Sequence, residues 1–129
     1  MELQGCQCDG SKTHMGLLVN GQGSSASMRE CSLSSNHQGN VAVQGIGAKV
    51  ELHGCKCDES SAGIGLCADE GGAANLSSTS ISSNLMNNVH AQAGGRVELS
   101  ECQCDGSKAS GVLALHPGSS ATVRDSRIC

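Results

Sequence analysis

Three segments of this chain set two thiols two residues apart and follow them with a carboxylate: Cys6-Gln7-Cys8-Asp9, Cys55-Lys56-Cys57-Asp58 and Cys102-Gln103-Cys104-Asp105. Paired soft sulfur donors suit Zn or Cu(I). The same spacing has a second meaning. Residues two apart in a strand share a face, so both sulfurs can enter a core, where a free thiol behaves as a small hydrophobe. The chain has 9 Cys, an odd number, so at least one stays outside any disulfide scheme. Which meaning holds depends on the elements that carry the segments.

Those elements repeat. Glu2-Leu3-Gln4-Gly5-Cys6-Gln7-Cys8 returns as Glu51-Leu52-His53-Gly54-Cys55-Lys56-Cys57 and as Glu98-Leu99-Ser100-Glu101-Cys102-Gln103-Cys104. Midway between these lies a second unit: Met28-Arg29-Glu30-Cys31-Ser32-Leu33 matches Leu76-Ser77-Ser78-Thr79-Ser80-Ile81 and, shortened, Val123-Arg124-Asp125-Ser126-Arg127-Ile128. The anchors Leu3, Met28, Leu52, Leu76, Leu99 and Val123 are 25, 24, 24, 23 and 24 residues apart. Each unit carries short bursts of alternating apolar residues separated by Gly, Ser or Asn. Such bursts read as short strands joined by tight turns. Three per unit make a triangular coil, and repetition makes a solenoid in which each coil is stabilised by its neighbours.

Registering the coils on Leu3 predicts columns. Cys6, Cys31, Cys55, Thr79, Cys102 and Ser126 form one, and Cys8, Leu33, Cys57, Ile81, Cys104 and Ile128 another, both on the second strand and facing inward. A third inward set is Leu17/Val19, Val41/Val43, Leu66/Ala68, Val89/Ala91 and Leu113/Leu115. Ser11, Asn36, Ser60, Asn84 and Ser107 form a polar ladder at a turn. A narrow lumen filled by Cys, Val, Ala and Leu has no room for rings, and the chain has no Phe, Tyr or Trp.

The coil length, the three bursts and the V-E-L and x-C-x-C segments resemble the right-handed parallel β-helix superfamily that includes pectate lyases and polygalacturonases. The resemblance implies an all-β, right-handed parallel β-helix; the anchor spacing gives it about five and a half coils of about 24 residues, with three short strands per coil, in a single domain over 1–129, and coils that start at Glu2 and stop mid-coil are what an excerpt of a longer array would show. It also implies where an enzyme of this kind would keep its acids: clustered on one outer strand face, binding Ca²⁺ or flanking a glycosidic bond.

The columns test each chemistry in turn. Cys8, Cys57 and Cys104 fall on alternate rungs, about 9.6 Å apart, too far to share a metal. Cys6, Cys31 and Cys55 fall on successive rungs and are the nearest candidates for a thiolate site, but no His shares their column, so a buried cysteine ladder is expected and no metal or cofactor. Stacked parallel side chains hold Cβ atoms farther apart than the ~3.8 Å of an ordinary disulfide. Cys67 and His90 should be outward neighbours in the column Leu18, Ala42, Cys67, His90 and Ala114, with no third group to complete a catalytic set. The outer acids Glu2, Glu51 and Glu98 alternate with Ser27, Asn75 and Thr122, and Lys49 and Arg96 sit two residues before Glu51 and Glu98 as surface ion pairs. Near-equal coil lengths leave no cleft for a carboxylate pair. With three Thr, the chain also lacks a regular ice-binding array.

Composition sets the outer bounds. A formal charge of −4 disfavours a phosphate-binding nucleic-acid partner. The sequence shows no membrane span and no signal peptide, so a reducing intracellular compartment is preferred. The expected function is therefore a non-enzymatic structural or protein-interaction solenoid that meets other subunits, or itself, through its coil ends. A polysaccharide-binding or -cleaving domain is the alternative, and a thiolate metal binder the second.

Overall fold

A computed structural model describes residues 2–5, 7, 15–37, 39–58, 64–82, 84, 88–105, 112–115 and 118–128. Cys6, Cys8, Asp9, Ser11, Ser60 and Ser107, all part of the column readings or motifs above, lie outside the described residues.

Alternating apolar residues make the first sheet. β1 (Glu2–Gln4), β3 (Ser25–Arg29), β5 (Lys49–His53), β7 (Ala73–Ser77), β10 (Arg96–Ser100) and β13 (Ser120–Arg124) stack in that order, all parallel. Val50/Leu52, Ala74/Leu76 and Val97/Leu99 point into the core, while the residues between them face outward. The third sheet stacks β2 (Met15–Asn20), β4 (Gly39–Gln44), β6 (Ile64–Asp69), β9 (Val89–Gln92) and β12 (Val112–Leu115). Between them runs a narrower second sheet of β8 (Ser80–Ser82), β11 (Gln103–Asp105) and β14 (Arg127–Ile128), which continues upward as single bridges at Lys56, Ser32 and Gln7. The result is an all-β parallel solenoid. It makes about four turns among the described residues, slightly short of the five and a half coils counted from the anchors.

One column needs correcting. The third-sheet register pairs Val112 with Val89 and Leu113 with His90, not Leu113 with Val89. From Leu99 to the Val89-equivalent position, coil 5 is thus one residue shorter than the alignment of like motifs assumed. The balancing residue lies in the third corner, between Leu115 and Ser120. A one-residue slip exchanges the two faces, so Val112 and Ala114 occupy the column of Val89 and Ala91.

The corners explain the close spacing. At the third corner, Ala48 N–H bonds Gly45 O at 3.0 Å and Gly72 N–H bonds Asp69 O at 2.9 Å. In the latter turn both central residues, Glu70 (φ 51°) and Gly71 (φ 83°), are left-handed, as a type I′ turn requires. The first corner is unusual. Its left-handed column is Gly5, Glu30, Gly54, Ser78, Glu101 and Asp125, mostly residues that resist this conformation.

Candidate functional site

Among the described residues the cysteines of both columns are buried, as the two-residue spacing predicts, but they do different things. Cys57 and Cys104 are fully enclosed in line with Leu33 and Ile81. Cys31, Cys55 and Cys102 sit just before the second strand, immediately after the left-handed corner residue. Each sends its thiol proton back to the carbonyl two residues earlier: Cys31 to Arg29 O at 3.2 Å, Cys55 to His53 O at 3.4 Å and Cys102 to Ser100 O at 3.3 Å. Hydroxyls do the same in the other coils, Thr79 to Ser77 O at 2.9 Å and Ser126 to Arg124 O at 2.7 Å. These carbonyls also accept the corner N–H of the preceding coil, as in Gly54 N–H to Ser77 O at 3.0 Å. The first column is therefore a corner brace in which sulfur and oxygen are interchangeable.

Burial raises the thiol pKa values of Cys55, Cys57, Cys67 and Cys102. Cys57 is pushed well above its ordinary 9.0, first by burial and then by the charges of Cys55 and Asp58. Cys67 does lie beside His90 on the neighbouring rung. Burial, with Asp69 nearby, pushes its thiol up to about 11, which is the wrong direction for a nucleophile. Among the described residues no group of three or more His, Cys, Asp or Glu is placed to hold a metal. Of the sequence candidates, Cys31 and Cys55 come together on adjacent rungs, while Cys6 lies outside the described residues.

The fourth residue of the C-x-C-D motif has a structural role. Asp58 Oδ1 accepts the Ser82 N–H and the Ser82 hydroxyl of the next coil, each at 3.0 Å, and Oδ2 lies 3.6 Å from Lys56 Nζ. The polar ladder is richer than the single column predicted. Asn36 Nδ2 donates to Asn40 Oδ1 at 2.9 Å and Asn84 Nδ2 to Asn88 Oδ1 at 2.8 Å. Asn40 Nδ2 then reaches across a coil to Asp58 O at 2.9 Å and Asn84 Oδ1 at 3.2 Å. Asn40 and Asn88 were not singled out from sequence, although an Asn-x-x-x-Asn pair repeated 48 residues apart carried the signal.

The outer face of the first sheet carries a concave surface. A shallow trough of about 500 Å³ runs over Arg29, Glu51, His53, Asn75, Glu98 and Arg124. The register confirms the alternation of Glu51, Asn75 and Glu98. The two glutamates are thus two rungs apart, about 9.6 Å. Glu51 is held by Lys49 at 3.1 Å, and His53 Nδ1 lies 2.7 Å from Ser77 Oγ.

No family model, curated protein or solved structure matches this chain. What the structure has in common with the pectin-lyase-like superfamily is the parallel β-solenoid.

Proposed function

We propose that this chain is a non-enzymatic structural solenoid that works by end-on association with other subunits or with its own copies. The observation that carries the reading is the stacking of the first sheet, whose strands pair in parallel register from coil to coil, with Val123 of β13 at the anchor position that Leu99 holds in β10. Another chain can add a coil by the same pairing. The surrounding polar groups favour this reading, because Asp58, Asn40 and Asn84 are spent on joining one coil to the next.

Sedimentation of the 129-residue chain tests it. The expected result is mass-action growth in size with concentration, abolished by V123K. A monomer throughout, or association untouched by V123K, contradicts it.

The trough over Glu51, Asn75 and Glu98 favours one second reading, a polysaccharide laid along the first sheet as in the superfamily the chain resembles. Release of unsaturated uronate with added Ca²⁺, lost in E51Q and E98Q, would favour that reading over the first.

A further inference from the structure

The corner brace leaves one arrangement unused. Cys31 and Cys55 occupy successive rungs, set one above the other by the Lys56 N–H to Cys31 O bond at 3.0 Å and the parallel bridge between Ser32 and Lys56. Farther along the column the donors change: Cys102 lies between Thr79 and Ser126, both hydroxyls. Among the described residues, two sulfurs meet on neighbouring rungs of this column at one place.

Rung spacing decides what that pair can hold. Successive rungs lie about 4.8 Å apart. A disulfide needs an S–S distance of about 2.05 Å and Cβ atoms about 3.8 Å apart, closer than stacked parallel rungs allow. Two metal–sulfur bonds of about 2.3 Å, the zinc–thiolate length, span about 4.6 Å end to end. A linear sulfur–metal–sulfur bridge therefore fits without moving either coil. Among the described residues no third ligand completes a group of three. That excludes a tetrahedral Zn site built from them and leaves soft ions content with two thiolates.

We infer that Cys31 and Cys55 form a two-coordinate site for a soft d¹⁰ cation, Cu(I) being the physiological member of that class. The inference does not rest on the end-on association proposed above. Two thiols and one Cu(I) give one bis-thiolate complex of charge −1 and two protons released to solvent, with no change of oxidation state. Arg29 and Lys56, both exposed, lie two and one residues from the ligands in sequence. When the thiol protons leave, the Arg29 and His53 carbonyls keep their bonds from Gly5 N–H at 2.9 Å and Glu30 N–H at 3.0 Å. The metal thus costs the corner no unsatisfied acceptor.

The test titrates the reduced, metal-free full chain with Cu(I) anaerobically against a coloured Cu(I) chelator. One tight ion per chain is expected, with two protons released and two short Cu–S distances by X-ray absorption. C31S and C55S should each weaken it by more than the about 100-fold that loss of an outer-shell partner reaches, while C67S and C102S should leave it unchanged. Serine preserves the corner bond, as Thr79 and Ser126 do, and unfolding curves verify that the variants fold. Tight copper surviving both C31S and C55S, three sulfurs around the metal, or no copper retained against the chelator would each overturn the assignment.

Discussion

Cys55 and Cys57 stand two residues apart and both are closed to solvent, yet their surroundings ask different things of them. The Cys55 thiol donates to His53 O at 3.4 Å and Met28 O at 3.5 Å, so a hydroxyl can replace it. Cys57 is packed in line with Leu33, Ile81 and Cys104, where a hydroxyl meets apolar neighbours. C55S should change unfolding free energy by less than about 1 kcal/mol, the range of well-tolerated substitutions. C57S should cost about 1–3 kcal/mol, the penalty of a buried polar group without a partner. Urea denaturation of the two variants beside the parent checks the contrast, and equal losses would show that the columns are not distinct. The burial of both columns was legible in the sequence because it follows from period-two geometry. Their division of labour was not, because it depends on Glu30, Ser78 and Glu101 adopting a left-handed conformation that their side chains disfavour.

The third-sheet strands depend on an alternation of glycine and asparagine between coils. Gly65 of β6 is packed so closely that an added Cβ would collide with the Asn84 amide, lie 2.5 Å from Ile81 Cγ2 and fall 2.7 Å from Asn88 O. Gly16 faces Asn36 and Asn40 in the same way. One coil thus leaves the space that the asparagine pair of the next coil fills. G65A should destabilise by about 1–3 kcal/mol through overpacking. N84A removes the donor to Cys57 O at 3.2 Å and to Asn88 Oδ1, and should cost a similar amount. Because the two substitutions act on one contact, the double variant should lose less than the sum of the single losses; a thermal-unfolding cycle measures this, and strict additivity would refute the coupling. Sequence reading found the anchors, the two alternating unit types and the Asn36/Asn84 positions. It misplaced Leu113 by one residue, because the aligned motif of coil 5 fixes where the coil starts but not which of its corners absorbs the spare residue.

At the scale of the molecule, thiols are strung along a solenoid whose coils hold only their neighbours, so a charge forced into one coil is felt by the stack. Cys55, Cys57, Cys67 and Cys102 all have pKa values raised from 9.0, with burial the largest cause in each case. A raised folded-state pKa means that the unfolded chain releases its proton first. The stability these neutral thiols contribute is therefore fully present below about pH 9, and for Cys67 it is lost as pH climbs through the folded value of about 11. The urea midpoint should accordingly fall steadily from pH 9 to pH 11, while staying level near neutrality as far as the thiols are concerned. C67A removes one titrating group on the outer, half-buried face of β6 and should flatten that alkaline slope by roughly one proton's share. C55S, whose serine does not titrate in this range, should flatten it as well. A midpoint indifferent to pH across this window, or a slope unchanged in both variants, would mean that the thiols open to solvent before the coils part and that the solenoid is not held as one cooperative stack.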